Sequence, residues 1–134
     1  MVIKMSAGYL LDTHTLLWYY TEPARLSKKA AQILTDDDNE IFVSSASVWE
    51  MATKHRKGKL GKAEKVLANF ETLIKDCDFK HLPVTWRHAK LSGEYALKHA
   101  DPFDRMLAAQ AQLENLVLVS CDDELTAFPI DIIW

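Results

Sequence analysis

Short apolar runs alternate with longer amphipathic stretches along most of the chain. The apolar runs have the length and composition of buried strands, and they cover residues 9–11, 41–43, 79–82, 116–119 and 130–133. The stretches between them have helical periodicity and cover residues 13–20, 28–34, 45–56, 62–75, 86–97 and 102–114, with a short helical turn at 122–128. Parallel strands need crossover connections, which are usually helices. The pattern therefore predicts an α/β fold with a central, mostly parallel sheet flanked by helices.

Several residues mark where the predicted helices begin and end. Ser27 stands where an N-cap is expected, and Asp101 is followed by Pro102, a residue favoured at the first helical position. Gly58 and Gly61 end the helix that begins near residue 45. At 134 residues the chain has the size of one domain, and we expect a single domain over 1–134.

Acidic residues follow the predicted strands. Asp12 comes directly after the first strand, and Asp122 comes shortly after the fourth. Glu50 and Asp104 lie in helices that begin near the same edge if strands and helices alternate regularly. Ligands of open α/β sheets bind at the carboxyl ends of the strands. We therefore expect these four carboxylates to converge at the carboxyl edge of the sheet.

Four converging carboxylates repel one another unless cations neutralise them. Hard divalent ions with oxygen ligands, Mg²⁺ or Mn²⁺, are the natural counter-charge. Such ions activate water and stabilise the charge that develops on a phosphate during phosphodiester hydrolysis. The acids as a set therefore favour a metal-dependent nuclease.

Helix capping is the alternative explanation for several of these acids. Asp12 and Asp122 are good N-caps for the helices that follow them. Asp101 is best explained as a cap, which places Asp104 at the third helical position, where an acid favours the helix dipole.

Two further patterns bear on Asp104 and Glu50. Asp104, Ala108 and Ala111 follow helical spacing, so the carboxylate lies at one end of the stripe that faces the core. Glu50 has apolar neighbours that suggest burial, although an ion pair with Lys54 at i+4 would also explain it.

The charge distribution is uneven. The net charge of −3 argues against a protein that holds nucleic acid by bulk electrostatics. A local basic segment nevertheless contains Lys54, Arg56, Lys57, Lys59, Lys62 and Lys65. The chain has no stretch long enough for a membrane-spanning helix and no secretory layout at its amino terminus, so we expect a cytoplasmic protein without membrane contact.

Other functional classes lack their motifs. The chain contains no G-x-G-x-x-G, no Walker A loop and no G-x-S-x-G, and its five histidines show no Cys/His ligand spacing. A receiver-like signalling domain also gathers acids around Mg²⁺ at strand ends. Its acids lie on strands, however, whereas Glu50 and Asp104 lie on predicted helices.

Four segments resemble the signature blocks of VapC-type PIN-domain toxins, the ribonucleases of type II toxin–antitoxin pairs. They are residues 9–18, residues 44–54 with 58–60, residues 101–111 and, more weakly, residues 118–122. The resemblance implies a PIN fold, Mg²⁺- or Mn²⁺-dependent endoribonuclease activity on RNA, homodimerisation and inhibition by a VapB-like antitoxin. A catalytically silent PIN scaffold that binds RNA or a protein partner is the alternative.

The resemblance also implies roles for individual residues. The catalytic and metal-binding positions are Asp12, Glu50, Asp104 and Asp122, the supporting hydroxyl positions are Ser45 and Ser120, and the RNA-binding positions are Lys54, Arg56, Lys57 and Lys59. Residues 1–8 match no part of the family pattern. We expect them to be a disordered segment or to include residues before a true start at Met5.

Overall fold

Five parallel strands form one sheet in the computed structural model, which describes residues 8–134. The strands are β1 (Gly8–Leu11), β2 (Glu40–Ser44), β3 (Lys80–Leu82), β4 (Val117–Val119) and β5 (Ile132–Ile133), in the order β3-β2-β1-β4-β5. The helices are α1 (Thr13–Thr21), α2 (Lys28–Thr35), α3 (Ser45–Arg56), α4 (Ala63–Ala68), α5 (Phe70–Asp76), α6 (Trp86–Glu94) and α7 (Pro102–Leu113). Short 3₁₀ helices cover Pro23–Arg25 and Asp123–Ala127. The predicted parallel α/β sheet is confirmed.

The central strand β1 carries one buried residue for each face of the sheet. Leu10 and Leu11 are both fully buried, and successive side chains of a strand point to opposite faces. Leu11 packs in an apolar cluster with Leu16 of α1, whereas Leu10 packs in a second cluster with Leu107 of α7. The sheet is therefore covered on both faces, and a continuous apolar run such as β1 is what this environment requires.

The predicted caps are present and determine where three helices begin. The side chain of Asp12 caps α1, that of Ser27 caps α2, and that of Asp101 caps α7 with Pro102 at its first turn. Because β1 leads directly into Asp12, the first cap also places a carboxylate at the carboxyl edge of the sheet.

Two predicted helices have different bounds in the structure. The stretch 62–75 is divided into α4 and α5 at Asn69, whose side-chain amide donates to the carbonyl of Lys65 at 3.0 Å and competes with helix continuation. The helix expected over 86–97 ends at Glu94, because the carbonyls of Ser92 and Gly93 accept hydrogen bonds from Arg105.

The expectation for residues 1–8 falls largely outside the described residues. Gly8 is described and belongs to β1, where it pairs with Glu40 of β2. Gly8 is therefore part of the folded domain. Within residues 8–134, no helix has the length and apolar character needed to span a membrane.

Candidate active site

The carboxyl edge of the sheet opens into a cavity of about 280 Å³. It is lined by Asp12, His14, Trp18, Glu50, Lys54, Asp101, Asp104, Cys121 and Asp122. All four carboxylates predicted from the sequence line this cavity, together with a fifth, that of Asp101. One lysine lines the cavity with them, so carboxylates dominate its charge.

Asp12, which directly follows β1, is a buried carboxylate of the cavity wall. One of its oxygens accepts from the backbone N–H of Thr13 at 2.7 Å, and the other accepts from the hydroxyl of Ser120 at 2.7 Å. Burial raises the pKa of Asp12, and the Ser120 hydrogen bond acts in the opposite direction. The carboxylate is thus held in one orientation by two donors, which a merely solvated cap would not need.

Ser120 connects the carboxyl ends of β1 and β4. Its hydroxyl donates to Asp12 and accepts from the backbone N–H of Asp122 at 3.1 Å. The hydroxyl of Thr15 donates to the carbonyl of Val119 at 2.8 Å, which adds a second link between α1 and β4. The relative positions of Asp12 and Asp122 are therefore set by hydrogen bonds and not by strand register alone.

Glu50 forms an ion pair with Lys54 one helical turn further along α3. Glu50 is only 3% exposed, so the expected burial and the alternative ion pair are both present. Burial would lower the pKa of Lys54, but the hydrogen bond and charge of Glu50 outweigh it and the pKa is raised. Lys54 therefore remains charged and serves as an internal counter-ion for the carboxylates.

Asp104 accepts a hydrogen bond from the Nε2–H of His99 at 2.9 Å. Burial raises the pKa of Asp104 to about 6, the His99 hydrogen bond opposes this, and the charges of Asp101 and Asp12 add to it. The repulsion expected among converging carboxylates is thus visible at this residue. At neutral pH, Asp104 carries a charge that a cation in the cavity would stabilise.

Asp101 and Asp122 each combine a cap with a place in the cavity wall. Oδ1 of Asp101 accepts from the backbone N–H groups of Phe103 at 2.9 Å and Asp104 at 3.3 Å. Oδ1 of Asp122 accepts from the backbone N–H of Glu124 at 3.0 Å. In each case one carboxylate oxygen is engaged as a cap in these bonds, and the carboxylate still lines the cavity.

Several predicted site residues are not among the lining residues of this cavity. The hydroxyl of Ser45 accepts from the backbone N–H of Val84 at 3.1 Å, so it joins α3 to the segment after β3. Arg56, Lys57 and Lys59 are exposed around the end of α3. Of the predicted RNA-binding residues, Lys54 alone lines the cavity.

Four residues of this region, His14, Trp18, His99 and Cys121, were not predicted from the sequence. His14 and Trp18 line the cavity and contact each other, with ring centroids 5.7 Å apart. His14 and Trp18 are four residues apart in the helix predicted after Asp12, and residues four apart are neighbours on one helical face. This spacing could have predicted that they lie together beside Asp12. His99 had no such signal, because its position depends on the path of the connection before α7.

The donor set fits a hard divalent cation, although the carboxylates do not form a closed site. Among residues 8–134, no three His, Cys, Asp or Glu side chains are grouped closely enough to hold a metal ion. Glu50 and Asp104 are instead engaged by Lys54 and His99. Carboxylate oxygens around an open cavity suit an ion such as Mg²⁺, which keeps several of its waters and binds through few protein ligands.

The sequence from residue 9 to residue 130 matches the model of the PIN domain. The chain belongs to the PIN-domain family. The match includes all four predicted carboxylate positions and covers most of the chain. The comparison with curated proteins gave no match.

Solved structures share the fold of this PIN domain over nearly its whole length. A chain of VapBC2 from Rickettsia felis, bound to a promoter DNA fragment, is 19% identical with a TM-score of 0.68, covering 94% of this chain and 97% of that one. A chain of FitAcB from Neisseria gonorrhoeae is 21% identical with a TM-score of 0.64, covering 94% and 96% respectively. A toxin–antitoxin complex from Klebsiella pneumoniae contains a chain 20% identical with a TM-score of 0.58, covering 96% and 97% respectively.

Proposed function

We propose that this PIN domain is a Mg²⁺- or Mn²⁺-dependent endoribonuclease and the toxin of a type II toxin–antitoxin pair. The observation that carries the proposal is the convergence of Asp12, Glu50, Asp104 and Asp122 on one cavity at the carboxyl edge of the sheet. Membership of the PIN-domain family supports nuclease activity at the level of the family. The substrate would be RNA that is single-stranded or looped at the cleaved phosphodiester.

The four carboxylates would hold the metal ion. Bound there, Mg²⁺ or Mn²⁺ would supply an activated water and charge stabilisation on the phosphate. Asp12 is already oriented for this role by Thr13 and Ser120. Glu50 would exchange its present partner, Lys54, for the cation, whereas Asp104 would bind the cation while it keeps the hydrogen bond from His99.

The chain's cationic residues would contact the RNA backbone. Lys54 lines the cavity beside Glu50, where its ammonium group would face a phosphate next to the cleaved bond once Glu50 is engaged elsewhere. Arg56, Lys57 and Lys59 are exposed at the end of α3 and in the turn after it. Contacts to phosphates add affinity without sequence choice. Leaving-group protonation would come from solvent.

A small antitoxin would inhibit the enzyme by inserting a basic side chain into the cavity. Chains of similar fold occur in VapBC2, in FitAcB and in a toxin–antitoxin complex from Klebsiella pneumoniae. An excess of carboxylates around an open cavity is a receptor for a guanidinium group. We further propose that the protein is a cytoplasmic homodimer.

The decisive experiment is cleavage of labelled single-stranded RNA by the purified chain, with Mn²⁺ and with chelator. We expect cleavage with Mn²⁺, none with chelator and none for Asp12→Asn. Asp37→Asn is a matched control, because this exposed aspartate lies in the turn before β2, at the opposite edge of the sheet. Cleavage that survives both the chelator and Asp12→Asn would refute the proposed mechanism, and binding of RNA without any cleavage would favour the silent scaffold.

The proposed antitoxin acts through occupation of the same cavity. We expect the chain to co-purify with the product of a neighbouring gene and the complex to cleave RNA much more slowly than the free protein. Equal rates for the complex and the free protein would show that inhibition by site occupation is wrong.

A further inference from the structure

The connection between α6 and α7 covers residues 95–101 and carries His99, the hydrogen-bond partner of Asp104. In the described chain, residues 96–100 neither donate nor accept a backbone–backbone hydrogen bond outside helices and strands. Because the connection belongs to no helix or strand, its conformation depends on side chains that bind its carbonyl groups. The side chains that bind these carbonyl groups therefore determine the position of His99.

Arg105, in the first turns of α7, binds the end of α6 and this connection with every donor that it has. Its Nε–H donates to the carbonyl of Ser92 at 2.9 Å, and its Nη2 group donates to Tyr95 at 2.6 Å and Gly93 at 3.4 Å. Its Nη1 group donates to Leu97 at 3.0 Å and to His99 itself at 2.9 Å. A guanidinium has five N–H groups in a rigid planar arrangement, and here all five are used.

Capping of α6 explains only part of this arrangement. The carbonyls of Ser92 and Gly93 belong to the last turn of α6, where a cation is favourable. The other three carbonyls, of Tyr95, Leu97 and His99, belong to the connection. Arg105 therefore determines the backbone path up to the residue that contacts Asp104.

The ring of His99 is also held on its sides. It makes an edge contact with Phe128, with ring centroids 5.4 Å apart, and its side chain is only 11% exposed. Its Nδ1 lies 4.0 Å from a carboxylate oxygen of Glu124. With the ring in this orientation, Nε2 faces Asp104 at 2.9 Å.

We infer that His99 and Arg105 are positioning residues of the nuclease site: Arg105 holds the connection, and His99 orients the Asp104 carboxylate for the metal ion. The inference rests on the proposed function, because it requires that Asp104 binds a metal. Residues that orient a metal-binding carboxylate by a hydrogen bond contribute to metal affinity even though they do not touch the ion. Loss of either residue would then leave Asp104 in place with the wrong orientation.

The test is Mn²⁺ binding measured by electron paramagnetic resonance in six variants, with melting temperature recorded for each. His99→Leu removes the donor, whereas His99→Gln places an amide N–H at the position of Nε2. We expect His99→Leu to weaken Mn²⁺ binding about 10-fold or more and His99→Gln to recover most of the affinity. His81→Leu, at an exposed histidine on β3, is the matched control and should bind Mn²⁺ as the wild type does.

Arg105→Lys tests whether Arg105 acts through His99. Lysine keeps the charge but has three donors and cannot reproduce the planar set of five hydrogen bonds. We expect Arg105→Lys to weaken Mn²⁺ binding. We expect the double variant, Arg105→Lys with His99→Leu, to have an Mn²⁺ affinity no lower than that of the single variant with the lower affinity. Additive losses in the double variant would refute action through His99.

The outcomes separate this inference from the proposed function. If His99→Leu binds Mn²⁺ as tightly as the wild type while Asp104→Asn does not bind it, the positioning role is wrong and the proposed metal site still stands. Equal losses in His99→Leu and His99→Gln would also overturn it, because the donor would then be irrelevant. Absence of Mn²⁺ binding in the wild type would instead refute the proposed metal site and the inference that rests on it.

Discussion

Asp101 and Asp104, at the start of α7, should respond differently to substitution. Asp101 caps the helix with one carboxylate oxygen, whereas Asp104 has no capping role and faces the cavity and His99. Asp101→Ala should therefore reduce stability and leave metal-dependent cleavage largely intact. Asp104→Asn should abolish cleavage without loss of stability.

The size of each effect follows from the contacts. Asp101 accepts from two backbone N–H groups, at 2.9 and 3.3 Å. Loss of such a cap costs about 0.5–2 kcal/mol, which lowers the melting temperature of a domain of this size by roughly 2–8 °C. Burial raises the pKa of Asp104 to about 6, so its charge is unfavourable in the metal-free protein at pH 7. Asp104→Asn should then keep or raise the melting temperature as repulsion is relieved.

Asp101→Ser supplies a control for the cap. Serine is also a good N-cap but carries no charge, so it should restore most of the stability that Asp101→Ala loses. The assays are melting temperature in chelator and RNA cleavage with Mn²⁺ for all three variants. If both Asp101 variants were inactive while Asp104→Asn still cleaved RNA, the third metal-binding carboxylate would be Asp101 and the assignment would be wrong.

Three further predictions concern the same cavity. Ser120→Ala removes the donor to Asp12, so it should lower the free energy of unfolding, measured by chemical denaturation, by about 1 kcal/mol and raise the pKa of Asp12 further. Unchanged stability would contradict a stabilising role for the hydrogen bond between Ser120 and Asp12. In the metal-free protein, Asp104 takes up a proton more readily when folded than when unfolded, because its pKa of about 6 exceeds the ordinary aspartate value of 3.8. Its contribution to stability should therefore fall as pH rises from about 4 to 6 and stay level above, and this decline should be smaller in Asp104→Asn. Lys54→Met frees Glu50 from its ion pair, so Mn²⁺ should bind more tightly while RNA binds more weakly; weaker Mn²⁺ binding would show that the lysine does not compete with the metal.

Local chemistry made much of the fold and part of the site predictable. The apolar runs predicted the parallel sheet, because strands buried on both faces need continuous apolar residues, as Leu10 and Leu11 show. The caps at Asp12, Ser27 and Asp101 were predictable because an N-cap requires only a short polar side chain next to its own helix. Strand ends in a parallel sheet share one edge, so the position of Asp12 and Asp122 followed from the same pattern.

Tertiary structure alone decided the partners of Asp12 and Asp104. Lys54 was a visible partner for Glu50 at helical spacing, but the hydrogen bond from Ser120 to Asp12 joins residues that lie far apart in the sequence. The bond from His99 to Asp104 depends on a connection without backbone hydrogen bonds between its own residues, whose path is set by Arg105. A guanidinium that binds five carbonyls leaves no periodic pattern in the sequence, because the carbonyl group is common to all residues and only the fold brings those five together.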